Sequence, residues 1–234
     1  MVRKVSVIIP TLNEEKYLPD CLRLLSRQHA DFDVEIIIAD GNSKDRTRDI
    51  ARKSGAKVVV EKKHTIAAGR QAGAKIASGD ILVFTDADAR PADSKWLSRL
   101  CHAFDDEKVV AAYGSLSIYD SKRAGAYALF ITTYFYWASV MKVAAGAGSN
   151  MAVRTKDFWK VGGFDVDLVT GEDIQLQQKL KRRGKLVYKS RARTCVSARR
   201  IQNWGLARFL GFHVTNFVKL QMGRTGHKKY EPIR

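Results

Sequence analysis

The pattern that most restricts how this chain folds is a repeat near its start: a short β-branched apolar run, a polar turn, then apolar residues at helical spacing. Val5 to Ile9 leads into Glu14 to Arg27, where Leu18, Leu22 and Leu25 share one helical face. Val34 to Ala39 ends in Asp40-Gly41-Asn42-Ser43, a turn and cap cluster, before a second helical stretch over Thr47 to Lys53. Val58 to Val60 precedes an alanine-rich helix over Ile66 to Ala77, and a fourth run, Ile81 to Thr85, passes directly into Asp86-Ala87-Asp88. Strands separated by whole helices are not hairpin partners. They pair in parallel through crossovers, which predicts an α/β fold with a mainly parallel central sheet and helices on both faces.

In such sheets ligands bind beyond the carboxyl ends of the strands. Polar residues collect there: Thr11, Asn13 and Glu14 after the first strand, Asp40 after the second, Asp86 and Asp88 after the fourth. Taken singly, each has an ordinary explanation as a helix cap or an Asx turn. Together they line one rim, which caps alone do not explain. Asp86 and Asp88 add a specific demand, because two carboxylates one residue apart repel each other. A hard cation, Mg²⁺ or Mn²⁺, held by these carboxylates and by phosphate oxygens of a substrate would relieve that repulsion.

The net charge of +17 is unevenly spread. Up to Asp173 there are 25 basic and 23 acidic residues; beyond it there are 16 basic residues against Glu231 alone. The cysteines, Cys21, Cys101 and Cys195, match no zinc or redox spacing and suit a reducing compartment. Val5 to Ile9 is stopped by Pro10, too early for a signal-peptide core, so a cytoplasmic location is expected. Ala124 to Met141 carries no charge but is rich in Tyr, Thr and Trp, which favours an interfacial or partly buried helix over a membrane span. Trp204 to Met222 reads as one amphipathic helix with Arg208 and Lys219 on it. Such a helix either packs on a core or lies at an anionic membrane surface.

Several separate segments resemble the family-2 glycosyltransferases of GT-A fold. Val5-Ser6-Val7-Ile8-Ile9-Pro10-Thr11-Leu12-Asn13-Glu14 is similar to their first strand and nucleotide loop, and Asp40-Gly41-Asn42-Ser43-Lys44-Asp45 to the second. Gly69-Arg70-Gln71-Ala72-Gly73 and Ala77-Ser78-Gly79-Asp80 resemble the approach to the metal motif, and Asp86-Ala87-Asp88 the motif itself. Gly162-Gly163-Phe164-Asp165 and Gly171-Glu172-Asp173 follow in the order of the acceptor-side signatures.

The resemblance implies a nucleotide-diphosphosugar donor, UDP- or GDP-linked, with Pro10, Thr11, Glu14 and Asp40 at the nucleoside and Arg70 toward base or phosphate. Asp88 would bind the divalent metal, Asp86 the ribose or a metal-bound water. Transfer would be inverting, with the metal stabilising the departing diphosphate. Asp173 is the candidate base for an acceptor hydroxyl, although Glu172 and Asp173 also suit the start of a helix through Leu180. Glu172, Arg199 and Arg200 are candidates for acceptor or phosphate contact. The expected division is a glycosyltransferase domain over 1–200, with a nucleotide-sugar half over 1–90 and an acceptor half over 91–200, and a basic amphipathic extension over 201–234. The acceptor is expected to be a hydroxyl or a phosphate, on a lipid-linked glycan or a polyprenyl phosphate at the inner face of the cell membrane; a phosphate acceptor, already anionic, would need no base. A nucleic-acid-binding protein using the basic segment is the alternative, but it leaves Asp40, Asp86, Asp88 and Asp173 without a role, so no nucleic-acid partner is expected.

Overall fold

The computed structural model describes residues 2, 4–121, 133–134, 136–138, 140–141, 144 and 146–222. The expected alternation is present: β1 (Lys4–Thr11), α1 (Leu18–Leu25), β2 (Asp33–Asp40), α2 (Thr47–Lys53), β3 (Lys57–Val60), α3 (Ile66–Ile76) and β4 (Ile81–Thr85). Then follow β5 (Arg90–Pro91), α4 (Trp96–Cys101), β6 (Val109–Ile118), β7 (Asn150–Arg154), α5 (Thr155–Lys160), α6 (Glu172–Lys181), β8 (Lys185–Val196), α7 (Arg199–Trp204) and α8 (Leu206–Gln221).

One sheet joins all eight strands in the order β3-β2-β1-β4-β7-β6-β8-β5. The pairs from β3 to β4 are parallel, so the ends of β1, β2 and β4 open on one edge. β7 enters antiparallel between β4 and β6, β8 returns parallel to β6, and β5 closes antiparallel on β8. The side-chain period of two divides each central strand between two cores. Val5, Val7, Ile9, Ile38 and Val83 pack with α1 and α4, including Trp96 and Leu100. Ile8, Ile37, Leu82 and Phe84 pack with α3, α5 and α6 on the other face. Helices therefore cover both faces, as expected.

Asn150 locks the far half together. It is fully buried, accepts from the Trp96 indole N–H at 2.9 Å, and donates to the carbonyls of Ser115 and Ala192 at 2.9 and 2.8 Å. Those carbonyls lie where the β6–β8 register shifts, between Gly114 and Leu116, leaving backbone groups that the ladder does not satisfy.

Two boundaries differ from the sequence reading. α1 begins at Leu18 rather than Glu14, because Glu14 and Glu15 donate their backbone N–H groups to Thr47 Oγ1 and Asp45 Oδ2 across the loops. The helix expected over Trp204 to Met222 is present as α8 but starts at Leu206 and ends at Gln221, because Gly205, whose φ of 77° no helix accommodates, leaves Trp204 as the last residue of α7. The apolar stretch over 124–141 lies largely outside the described residues. Among the described residues no helix is long and apolar enough to cross a membrane.

Candidate active site

At the nucleoside end of the rim, β1 and β2 are register partners through Thr11 and Asp40. Asp40 is fully buried, and its carboxylate accepts from Thr11 Oγ1 at 3.1 Å, Ser43 N at 2.8 Å and Ser43 Oγ at 2.5 Å, with Arg48 3.7 Å away. The two loops are then stitched together. Asn13 N donates to Ser43 Oγ at 2.8 Å and Lys44 N to Asn13 Oδ1 at 2.8 Å, with Asn13 and Asn42 both in the left-handed region at φ 54° and 64°. Asn tolerates that region better than most residues, so the strand ends are held by local chemistry. Pro10 backs onto α3 at Gly69, where an added Cβ would sit 3.1 Å from its own.

Arg70 stands apart from its expected place. It is 3% exposed; one terminal nitrogen donates to Asp86 Oδ1 at 2.9 Å and the other to Glu172 Oε1 at 2.7 Å. Both nitrogens are thus committed to carboxylates rather than offered to a base or phosphate. Glu172 opens α6 and is buried; burial and the adjacent Asp173 push its carboxyl up while Arg70 pulls it down. Asp173 accepts from Gly148 N at 2.8 Å and from Ile174 N at 2.8 Å, which fixes its carboxylate at the helix start. Gly148 is required by close approach as well, since a Cβ there would lie 2.2 Å from an Arg70 nitrogen.

Asp88 meets the basic tail. Arg199, the first residue of α7, places Nε 3.0 Å from Asp88 Oδ2 and donates both terminal nitrogens to Glu14, at 2.8 and 3.2 Å. Its guanidinium also lies 4.9 Å from the centre of the Tyr17 ring. Burial raises the Asp88 carboxyl to about 7; Arg199 opposes the rise, and Asp86 and Glu14 add to it. Arg199 reaches the rim, and the Arg200 guanidinium lies over the Trp204 ring at 5.1 Å.

Sequence reasoning missed Gly148, Tyr17 and Asp120, the last of which accepts from Ser197 Oγ and Ala198 N at 2.6 Å each and so sets where α7 begins. It also missed Gln71, whose Oε1 takes the Phe164 N–H at 2.9 Å and holds the Gly163-Phe164-Asp165 turn. Of these, Gln71 alone carried a signal, its place beside Arg70 in a quoted motif.

Among the described residues no three His, Cys, Asp or Glu side chains are placed to hold a metal on their own. Asp88 and Asp86 still suit Mg²⁺ or Mn²⁺, which are commonly held by one or two carboxylates with the rest supplied by phosphate and water. A guanidinium already sits against Asp88 and Glu14 as a stand-in cation, the charge such a donor set calls for.

The family model for glycosyl transferase family 2 matches residues 6–162. The chain belongs to this family. A family relative, validoxylamine A glucosyltransferase of Streptomyces hygroscopicus subsp. limoneus, is 27% identical over 228 residues, covering 77% of this chain and 48% of the relative. The chain thus spans about half the length of that relative. Among solved structures, the mannosyltransferase PcManGT of Pyrobaculum calidifontis, in complex with GDP-Man and Mn²⁺, superposes with a TM-score of 0.68 at 20% identity, over 92% of this chain and 64% of the other. Glucosyl-3-phosphoglycerate synthase of Mycobacterium tuberculosis, in complex with Mn²⁺, UDP and glucosyl-3-phosphoglycerate, gives 0.63 at 19% identity, over 95% and 81%. At such identities the likeness concerns the fold, which is the GT-A fold of this glycosyltransferase family.

Proposed function

We propose that the chain carries out metal-dependent, inverting transfer of a sugar from a UDP- or GDP-linked donor to a lipid-linked acceptor at the inner membrane face. The observation that carries this reading is the bonded series Asp86–Arg70–Glu172, with Asp173 next in the chain. It links Asp86, past the end of β4, to Glu172 beside the base candidate at the start of α6, which supports a reading in which donor and acceptor chemistry share one cluster. PcManGT was solved with GDP-Man and Mn²⁺, which supports a donor and metal of this class here.

Thr11 and Asp40 would receive the nucleoside, Asp40 through carboxylate oxygens already oriented by Ser43. Asp88 and Asp86 would hold the divalent cation, which when bound stabilises charge on the departing diphosphate. Asp173, fixed by the Gly148 and Ile174 N–H groups, would take the proton of an acceptor hydroxyl as it attacks the anomeric carbon from the face opposite the diphosphate. Acting as base, Asp173 ends protonated and returns the proton to solvent.

The test is Asp173→Asn. It keeps an oxygen for Gly148 N–H but cannot accept the proton, so kcat should fall by about 10²- to 10⁴-fold. Thermal-shift stabilisation by UDP or GDP with Mn²⁺ should stay at the wild-type level. Turnover near wild type would remove the base assignment, whereas Asp88→Ala should abolish turnover and its Mn²⁺ dependence together.

A lipid-linked acceptor is supported by the tail. Val214, Val218 and Met222 follow each other at one-turn spacing and are all exposed, with Arg208 and Lys219 on the same segment. Such a stripe suits the interface of an anionic bilayer. Sedimentation with anionic liposomes at low salt should retain the full chain, and Val214→Asp with Val218→Asp should release it. Binding that survives this pair would remove the stripe from the membrane contact.

A further inference from the structure

Two arginines neutralise the carboxylates of the candidate site, and they are held very differently. Arg70 is 3% exposed, wedged against Gly148, with both terminal nitrogens on buried or half-buried acids. The Arg199 side chain is 20% exposed and meets solvent. Its main chain is fixed, because Asp120 takes the Ser197 hydroxyl and the Ala198 N–H, and Ser197 Oγ takes the N–H of Arg199 itself at 3.2 Å. From that anchor a rotamer change alone can lift the guanidinium away from Asp88 without moving α7.

We propose that Arg199 is an exchangeable counter-ion: in the ligand-free enzyme its guanidinium takes the place of the divalent cation between Glu14 and Asp88, and when donor and metal bind it turns onto the diphosphate. The inference rests on the metal-dependent reading given above. Glu14 and Asp88 lie close enough for one guanidinium to pair with both, and Asp86 is two residues from Asp88, so a positive charge among them relieves their mutual repulsion. Arg supplies it at low desolvation cost, and its planar fork matches phosphate as well as carboxylate. Leaving Asp88 opens that carboxylate to the metal. The same charge then meets the developing negative charge of the leaving group rather than being lost to solvent.

The experiment compares wild type, Arg199→Met and Arg199→Lys for Mn²⁺ binding, read from the electron paramagnetic resonance signal of free Mn²⁺. Each protein is titrated with Mn²⁺ alone, then with Mn²⁺ in the presence of UDP or GDP. Arg199→Met loses the competitor, so it should bind Mn²⁺ alone about tenfold more tightly, equivalent to about 1.4 kcal/mol. With nucleotide present, that variant should bind the nucleotide about tenfold more weakly than wild type, because its diphosphate contact is gone. Arg199→Lys keeps the charge without the fork and should fall between the two; it also serves if Arg199→Met fails to fold, as judged by its melting curve. Equal or weaker Mn²⁺ affinity in both variants would overturn the exchange. Tighter Mn²⁺ binding with unchanged nucleotide affinity would overturn the move onto the diphosphate. If wild type and variants all bind no Mn²⁺ with either nucleotide, the metal-dependent reading falls first and takes the inference with it.

Discussion

Asp40 ends β2 and Asp88 lies three residues past the end of β4, both on the same rim, yet the close partners of their carboxylates differ in kind. Asp40 takes its hydrogen bonds from neutral donors, the hydroxyls of Thr11 and Ser43 and the Ser43 backbone N–H, with the Arg48 guanidinium farther off at 3.7 Å. The neutral donors come from the adjacent strand or from three residues away. Asp88 and its neighbour Asp86 are answered by whole charges on distant parts of the chain, Arg199 and Arg70. The nucleoside end is thus preset by short-range hydrogen bonds, whose net contribution is about 1 kcal/mol each. At the metal end stand charges that cannot be removed one at a time without leaving a buried partner exposed to repulsion.

The sharpest way to break that contrast is Arg70→Met. It fills similar volume but leaves Asp86 and buried Glu172 without their common partner, beside Asp173. Removing one member of a buried ion pair costs about 3 to 5 kcal/mol. A thermal melt should fall by about 6 to 20 °C at this chain length. A melt within a few degrees of wild type would show that the carboxylates do not depend on Arg70, and the cluster would no longer explain how Asp173 is placed.

Gly148→Ala probes the same cluster from the other side. The new methyl group would lie 2.2 Å from an Arg70 nitrogen that is bonded to Glu172 and has no free space to yield into. Overpacking of this kind costs about 1 to 3 kcal/mol. Because the Gly148 N–H also positions Asp173, kcat should fall more than donor affinity does. Steady-state kinetics checks this, and a fall confined to KM would contradict the positioning role.

Ser43→Ala is the matching change at the nucleoside end. It removes one hydroxyl from Asp40 and one acceptor from Asn13 N–H, while the Ser43 backbone N–H and Thr11 still hold the carboxylate. A loss of about 1 to 2 kcal/mol in a denaturant titration is expected. A loss as large as that of Arg70→Met would erase the distinction between the two ends.

The same distinction decides what could be read from sequence. β1, α2, β3 and β4 were legible to within about two residues because apolar periodicity and turn residues are local signals. The polar rim was legible for the same reason: parallel strands place Thr11, Asp40 and Asp86 on one edge whatever the rest of the chain does. Long-range commitments were not. Nothing near Arg70 in sequence announces that Glu172 and Asp86 will consume its nitrogens, and nothing near Arg199 announces Glu14, 185 residues earlier. The antiparallel entry of β7 depends on the same kind of tertiary context, Asn150 bridging three elements, whereas the start of α8 after Gly205 is set locally by one positive φ.

Glu35 offers a control carboxylate near the opposite end of β2, away from the rim. It is served by both kinds of partner: Ser6 Oγ at 2.6 Å, Ser78 N and Oγ at 2.7 and 2.8 Å, and the Lys57 ammonium at 2.8 Å. Burial pushes its carboxyl up, but the bonds from Lys57, Ser6 and Ser78 outweigh that and hold it at about 2, below its ordinary 4.5. A depressed folded-state value means the anion is favoured by folding. Its contribution is therefore complete above about pH 4.5 and is lost as the pH falls from there toward 2. Glu35→Gln should be less stable than wild type at pH 7, and the gap between the two should narrow below pH 4.5. Urea titrations at pH 7, 4 and 3 measure that gap directly. A gap that stays constant with pH would mean Glu35 is held by packing and neutral hydrogen bonds alone, which would make it a second Asp40 rather than an intermediate between the two ends of the rim.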